Sequence, residues 1–448
     1  MSKRVRPKEF PLAVLFALIC FSSSIAQIPS ATPAAPIPNL LSLDEALRLA
    51  NTQASSFQTA AINERIAAED VRQAQAALLP KITAPLSYIY TTPACCLPRG
   101  EPRQQSFVSN DGIGVTNGLV EVSGDFDIAG RLRSTLARNR ALLAAAHAGT
   151  EAARRALAQA VIEAYYGLAL ATAERRAAEG NLAAAVEFEN ITSLLLSGGE
   201  VASVDLTRAQ LQTLTRRDEL EKARANEEVA AGALRVFVGY EFSRAIDTAD
   251  LTLAIPVDAE FRQFKPEEVS RRPEFVQLEQ EVRAAHEEIR IARADRLPSL
   301  TYSVDGGFNT DSIRPPRLRQ HTGAAATISF SIPIFDWGAT RSREAQAQLR
   351  VQLAENERTT ALRGFTQQFY AARAQVETAT ARIALGREGV TKAQDNLSAS
   401  IARYRAGEAP IVEVTDAQTT LVEQRTALYQ AIFDYQTALA RLKQATGR

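Results

Sequence analysis

Four segments of the chain alternate apolar and polar residues with the period of two that is typical of β-strands. They form two pairs, one in each half of the chain, and each is about ten residues long, as in outer-membrane β-barrels. The signal of one segment is weak, and a one-sided soluble sheet has the same pattern. The apolar positions are Ile82, Ala84, Leu86, Tyr88 and Tyr90; Val120, Val122, Phe126 and Ile128; Leu300, Tyr302, Val304 and Phe308; and Ile328, Phe330, Ile332 and Ile334.

Long helical segments follow each pair of strands. No proline interrupts residues 131–196, which predicts one nearly continuous helix on the order of 100 Å long at about 1.5 Å per residue. The segment "SGGE" predicts a break after it, and "RAGEAP" predicts the corresponding break in the second half. The seam of the helix before Val238 contains Thr213 and Glu227 and is expected to face a different neighbour. The last helix has a regular coiled-coil seam, formed by Val414, Leu421, Leu428, Tyr435 and Leu442.

The same pattern occurs twice along the chain, which is the most informative feature of the sequence. Leu79-Pro80 recurs as Leu297-Pro298, and Phe126-Asp127 recurs as Phe335-Asp336. Each copy is expected to contain a helix, two strands, a long helix, a turn and another helix. The first helix is expected from Ser42 to the Leu79-Pro80 stop, and its counterpart from near Pro266 to Leu297-Pro298. The predicted organisation is a Pro-rich tether at 27–41, a first repeat at 42–239, a connector at 240–265 and a second repeat at 266–448.

Residues 1–26 resemble a secretory signal peptide, with a basic start, an apolar run and the small residues Ser24 and Ala26 near its end. The apolar run is too short to span a bilayer, so an uncleaved anchor is the weaker alternative. Cys20 follows the bulky Ile19, and lipidation is therefore not predicted. The most apolar later segment, residues 156–173, contains Gln159 and Glu163 and is expected to be a packed helix.

Composition excludes several classes of function. Acidic and basic residues balance at 51 each, so no net field recruits nucleic acid. The adjacent Cys95 and Cys96 do not form a disulfide scaffold. His147, His286 and His321 are isolated and have no metal-ligand spacing. No catalytic residues, metal or cofactor are predicted, and the chain is not expected to be an enzyme.

Membrane strands require more than one chain. Four strands cannot close a barrel, because single-chain barrels begin at eight, and unpaired sheet edges cost several kcal/mol per group in lipid. Two copies would give a filled interior, whereas three copies give twelve strands and room for a channel. In this arrangement the apolar side faces outer-membrane lipid, and Thr, Ser, Asp and Glu face the lumen.

The sequence resembles the TolC-type outer-membrane efflux proteins over essentially all of its mature length. The resemblance rests on "LSLDEALRLA", "RRPEF", "SFSIPIFDWG" and above all "YRAGEAPIVEVTDAQTTL". It implies an internally duplicated α+β membrane protein and a homotrimer. A twelve-stranded outer-membrane barrel, with four strands per chain, would continue into a periplasmic α-helical coiled-coil barrel. It further implies a passive export duct that docks onto a periplasmic adaptor and an inner-membrane pump of the RND or ABC type.

In that family acidic residues line the periplasmic tip, and Asp205, Glu413 and Asp416 fall on the matching positions. Rings of carboxylates would favour cations, although Asp205 and Glu413 could instead only complement a helix N-terminus. Tyr404 matches a tyrosine that latches the closed tip, but Ala409 stands at the usual position of its arginine partner. The residues that match the adaptor-docking turns are Ser197, Gly198, Gly199, Glu200 and Val201, and Ala406, Gly407, Glu408, Ala409, Pro410 and Ile411.

Two questions stay open at this point. A periplasmic coiled-coil adaptor or scaffold is the alternative function, although an adaptor would contain one helical hairpin rather than two. Trp337, the single tryptophan, fits a membrane-interface belt and a plain core position equally well.

Overall fold

The computed structural model describes residues 40–53, 55–91, 114–253 and 260–448. The predicted signal peptide, most of the predicted tether, Cys95 and Cys96 lie outside the described residues. The elements of the first half are β1 (Leu40–Leu41), α1 (Leu43–Ala50), α2 (Ser56–Ala76), β2 (Lys81–Thr83), β3 (Leu86–Tyr90), β4 (Gly114–Phe126), α3 (Arg131–Ser197) and α4 (Ser203–Val238).

The second half begins with an irregular stretch and then follows the order of the first. Three short 3-10 helices lie at Leu251–Leu253, Glu260–Gln263 and Pro266–Arg271. The other elements are β5 (Asp247–Thr248), α5 (Pro273–Ala294), β6 (Ser299–Thr310), α6 (Pro315–Gln320), β7 (Thr322–Ser331), α7 (Ala339–Arg405) and α8 (Ile411–Ala445).

The helices of the two halves match in length and in the way they end. α3 and α7 contain 67 residues each, and α4 and α8 contain 36 and 35. Glycines in the left-handed region precede the long helices at Gly130 and Gly338 and follow the short ones at Gly239 and Gly447. Only glycine adopts this backbone conformation at little cost, which explains why these residues recur at one spacing.

The repeated Phe-Asp pair has a local structural role. The Asp127 carboxylate accepts hydrogen bonds from the backbone N–H groups of Leu132 and Arg133, at 2.9 and 3.0 Å. Asp336 likewise accepts from the N–H of Thr340 at 2.7 Å. Each aspartate therefore satisfies N–H groups in the first turn of a long helix, which otherwise have no partner.

The first helix of each half is shorter than predicted. The helix expected from Ser42 to Pro80 is divided into α1 and α2, because the chain turns after Asn51 and Ser55 caps a new helix by accepting from the Gln58 N–H. In the second half, Pro266 begins only a 3-10 helix, and α5 starts at Pro273. Proline suits a first helical turn because it has no N–H to satisfy there.

The sheet has the order β2/β3, β4, β6, β7, and all its neighbours are antiparallel. β2 and β3 are one strand interrupted at Pro85, since both keep the same register against β4. The prediction of two paired hairpins is confirmed, but the predicted bounds of the last strand are wrong. β7 begins at Thr322 and ends at Ser331, before Ile332 and Ile334, because Pro333 cannot continue the ladder.

The helices form one layer, which is four helices wide both near the sheet and near the helical turns. Near the sheet the order of contacts is α2, α3, α5, α7, and towards the helical turns it is α4, α3, α8, α7. The helical layer and the sheet therefore share their two edges. α2, β2 and β3 lie at one edge together with α4, and α7 lies with β7 at the other.

Both coiled-coil seams are buried. In α8, Val414, Tyr435 and Leu442 are almost fully buried, as predicted. The expectation that the α4 seam faces a different neighbour is wrong, since α4 packs on α3 of its own hairpin. Thr213 is buried there, and Arg175 on α3 donates to the Glu227 carboxylate at 2.6 Å. The ion pair explains how a glutamate is tolerated in the seam.

Among the described helices, α3 alone is long and apolar enough to cross a membrane by length and composition. Its apolar middle lies against neighbouring helices, with Leu157, Val161 and Leu168 buried in a core shared with α1 and α4. The prediction of a packed helix at residues 156–173 is therefore confirmed.

Candidate gate and channel surfaces

The register gives the sheet one apolar and one polar face. Residues directly opposite each other in an antiparallel sheet point to the same side, and here they agree in character. The rows of the apolar face include Ile82, Val122, Val304 and Ala326; Gly124, Tyr302 and Ile328; and Phe126, Leu300 and Phe330. The rows of the polar face include Thr83, Glu121, Asp305 and Ala325; Lys81, Ser123, Ser303 and Thr327; and Asp125, Thr301 and Ser329. At the far end Ile89, Val115 and Leu119 depart from this pattern.

Aromatic rings cover glycines on the apolar face. A Cβ added to Gly118 would lie 2.5 Å from the ring of Phe308, its direct neighbour on β6. Tyr302 covers Gly124 in the same way. Such ring-over-glycine pairs help to fix strand register, which explains why glycine occurs at positions 118 and 124 of β4.

The edges of the layer are exposed and apolar. Among the described residues, β2 and β3 pair only with β4, and β7 pairs only with β6. Every residue of β3 and of β7 is exposed. The edge helices also expose large apolar side chains: Ile62 and Ile66 on α2; Val204, Leu211, Leu214, Val229 and Val236 on α4; and Leu349, Leu353, Tyr370 and Leu385 on α7.

Trp337 lies between the end of β7 and the start of α7. Its side chain is 90% exposed, so the interpretation as a core tryptophan is wrong. It packs edge-on against Phe335, and its backbone φ of 55° lies in the left-handed region. Ile334 and Phe335 are exposed beside it. This junction thus presents an apolar and aromatic surface; its role as a membrane-interface belt stays a prediction.

At the opposite end, the tips of the two hairpins share one small core. Tyr404 at the end of α7 is 4% exposed, and its ring centroid lies 5.2 Å from that of Phe188 on α3. The remaining buried members are Ala209, Ala393, Leu397, Ile411, Val414, Ala417 and Leu421. The second hairpin is therefore held against the first by apolar packing at the tip.

The predicted gate residues differ in their surroundings. Glu413, in the first turn of α8, accepts a hydrogen bond from Arg403 Nη1 at 2.5 Å, and Ser400 Oγ lies 3.4 Å away. Asp205, in the first turn of α4, and Asp416 have side chains with no hydrogen-bond or ion-pair partner in the part of the chain that the structure describes. Asp416 is exposed. Glu413 is thus compensated within its own hairpin, whereas the carboxylates of the two aspartates have no compensating partner among the described residues.

Tyr404 makes no latch hydrogen bond to the described residues of its own chain. Its hydroxyl is buried and has no hydrogen-bond partner among the described residues. A cross-hairpin hydrogen bond is instead made further along, where Arg216 on α4 donates to Thr419 on α8 at 3.3 Å.

The predicted docking turns lie at the ends of the hairpins. Gly199 and Gly407 occupy the left-handed region in the two turns, with φ of 78° and 73°. Glu200, Glu408 and Pro410 are exposed, whereas Ala409 and Ile411 are buried in the hairpin. The turns thus present a small polar surface.

Arg403 and Phe188 were missed by reasoning from the sequence. Arg403 and Glu413 are separated from Glu408 in the turn by the same number of residues along the chain. Pairing residues outward from the turn would therefore have predicted their contact. The described residues contain no group of three or more His, Cys, Asp or Glu side chains placed to hold a metal.

Comparison with known proteins agrees with this architecture. The family described as outer membrane efflux protein matches residues 46–240 and 266–448. Nodulation protein T of Rhizobium leguminosarum bv. trifolii is 24% identical over 406 residues, covering 85% of this chain and 80% of that protein. Outer membrane protein TolC of Escherichia coli K12 is 27% identical over 266 residues, covering 56% and 52%. The Campylobacter jejuni CmeC outer membrane channel has a TM-score of 0.81 at 18% identity, covering 90% and 85%.

These findings define a channel of the outer membrane whose helical part lies in the periplasm. The chain belongs to the outer membrane efflux protein family. It is therefore a transport protein and not an enzyme, and the predicted resemblance is confirmed. The alternative of a periplasmic adaptor or scaffold is wrong, because the family match extends over both halves of the chain.

Proposed function

We propose that three copies of this chain form one channel, with a twelve-stranded barrel in the outer membrane and a periplasmic tunnel of helices below it. The observation that carries the proposal is the open four-stranded sheet, which is apolar on one face and polar on the other. In lipid an open sheet is costly, because each unpaired backbone group at its edges loses several kcal/mol. In a closed ring of copies, each edge of the sheet pairs with the opposite edge of a neighbouring copy.

The strand directions support this closure. The first strand, β2/β3, and the last, β7, run antiparallel, since three antiparallel pairings separate them. β7 of one protomer can therefore pair with β2/β3 of the next without any change in topology. Three copies close a barrel with room for a lumen, whereas two would leave an interior filled by side chains.

The helices support the same arrangement. Because α7 lies at one edge of the layer and α2 and α4 lie at the other, a rotational assembly places α7 against α2 and α4 of the neighbour. The apolar side chains exposed on these three helices would then be buried. Leu349 on α7 and Leu211 on α4 are each more than half exposed in one chain, and burying such a side chain is worth about 1.5–3 kcal/mol.

The function that follows is passive export through this duct, with a gate at the helical tips. The tips carry the carboxylates of Asp205 and Asp416 and the compensated Glu413. The exposed turns at Gly199 and Gly407 are the proposed docking surface for a periplasmic adaptor, which would connect the duct to an inner-membrane pump. We assign the two matching series of elements to an internal duplication, with repeats at 42–239 and 266–448.

Adjacent substitutions on β7 test the barrel. Ile328 faces the apolar side and Ser329 faces the polar side. A lysine at 328 would lie in lipid, at a cost of about 2–4 kcal/mol per strand near the midplane, whereas a lysine at 329 would face water. We expect Ile328→Lys to abolish the heat-modifiable trimer in outer membranes and Ser329→Lys to leave it intact. Equal tolerance of both variants, or recovery of the native protein as a soluble periplasmic monomer, would refute the barrel.

A further inference from the structure

We propose that Arg403 is a specificity-determining residue of the gate, because its ion pair compensates Glu413, one of the three predicted gate carboxylates of each protomer. The cation preference of the channel then depends on Asp416 and Asp205. This inference rests on the proposed trimeric channel. It changes the expected roles of the acidic residues, since Glu413 no longer acts as a free carboxylate.

The geometry of the pair supports compensation. Arg403 Nη1 lies 2.5 Å from Glu413 Oε1, across the turn that joins α7 to α8. The side chains are 52% and 33% exposed, so the pair adds little to stability. The pair nevertheless strongly reduces the attraction that Glu413 alone would exert on a passing cation. Two opposite charges in contact act as a dipole, and the field of a dipole declines faster with distance than the field of one charge.

The first hairpin provides an internal comparison. A shift of 208 residues relates Arg403 to Leu195 and Glu413 to Asp205. Leu195 packs against the tip core, and the Asp205 carboxylate has no partner among the described residues. The same helix start is therefore neutralised in one hairpin and charged in the other.

Asp416 lies on the same helix but outside the pair. It is exposed, three residues beyond Glu413, and away from the buried face formed by Val414 and Ala417. In a trimer, the three copies of Asp205, Glu413, Asp416 and Arg403 carry a net of six negative charges. The net would be nine if a neutral residue replaced Arg403. Arg403 thus lowers the combined negative charge of the three gate carboxylates by a third.

The test is the ratio of K⁺ to Cl⁻ permeability, measured from the reversal potential of the purified protein in planar bilayers under a KCl gradient. A unit charge about 6 Å from an ion in water changes its energy by about RT, and salt screens part of this. We expect Arg403→Gln to raise the permeability ratio at least about twofold. Arg403→Lys, which keeps the charge, should retain the native ratio, and Asp416→Asn should lower it.

The matched control is Arg405→Gln. Arg405 lies in the same helical turn but approaches Glu187 on α3, at 3.9 Å, and its removal should change the ratio less than removal of Arg403. The double variant Arg403→Gln, Glu413→Gln removes a neutral pair and should return the ratio to the native value. An unchanged ratio in Arg403→Gln, or equal increases in the two single arginine variants, would overturn the inference. Absence of any conductance from the native protein would instead count against the proposed channel.

Discussion

Tyr165 links the two short strands at the middle of the molecule to the long helix α3. Its hydroxyl donates a hydrogen bond to the Leu41 carbonyl at 3.0 Å and accepts one from the Ala249 N–H at 3.2 Å. These contacts hold the parallel pair of β1 and β5, and Tyr165 is almost fully buried. Replacing it with phenylalanine removes both bonds without changing the shape of the ring.

The expected cost follows from these two bonds. Each net hydrogen bond is worth about 1 kcal/mol, and a buried group left without a partner costs about 1–3 kcal/mol. Tyr165→Phe should therefore destabilise the local structure by about 2–4 kcal/mol. Because about 1.4 kcal/mol corresponds to a factor of ten, the Ala249 amide should exchange its hydrogen at least about 30-fold faster if it opens locally.

Hydrogen exchange measured by mass spectrometry on peptides that contain Ala249 gives the result directly. Tyr166→Phe is the matched control: Tyr166 is the next residue and its ring is half-buried, but its hydroxyl makes no hydrogen bond to the described residues. Exchange at Ala249 that is the same in the native protein and in both variants would refute the role assigned to Tyr165.

Three further predictions concern the core, the sheet and pH. Phe369→Ala, at a fully buried position, should destabilise the protein by about 3–5 kcal/mol and lower the temperature at which it unfolds; an unchanged temperature would contradict the packing of that core. Gly118→Ala should displace the Phe308 ring and reduce folded protein, whereas Gly306→Ala, which has open space, should not; equal yields would contradict the register. Hydrogen bonding from Arg293 on α5, with a smaller contribution from Arg296, lowers the pKa of Glu344 on α7 below its ordinary value of 4.5. Its contribution to stability is therefore present above pH 4.5 and lost as the pH falls through the lowered pKa, so Glu344→Gln should differ from the native protein in thermal unfolding at pH 7 but not at low pH.

Much of the architecture followed from local signals in the sequence. The long helix expected at 131–196 ends within one residue of that prediction, because an uninterrupted helical composition and the Gly-Gly break define it. The four strands followed from alternation. The start of β7 at Thr322 was missed, because Gly323, Ala324 and Ala325 are small and give no alternating signal.

Contacts between distant segments could not be predicted in this way. The bond from Tyr165 to Leu41 joins residues 124 positions apart, and no local pattern encodes such a distance. The tip core depends on how the second hairpin packs against the first, so that Phe188 could not be assigned to Tyr404. The pairing of Arg403 with Glu413 depends on the register across a turn, whereas the family resemblance identified the acidic positions without their surroundings.

The central claim is that the exposed edges of the sheet are completed by neighbouring copies of the chain. A cryo-electron microscopy structure of the full-length protein in lipid nanodiscs tests it most directly. We predict three chains around one axis, with β7 of each paired to β2/β3 of the next in a closed barrel of twelve strands. A different number of chains, or a sheet whose edges are covered by its own chain outside the lipid, would contradict the account.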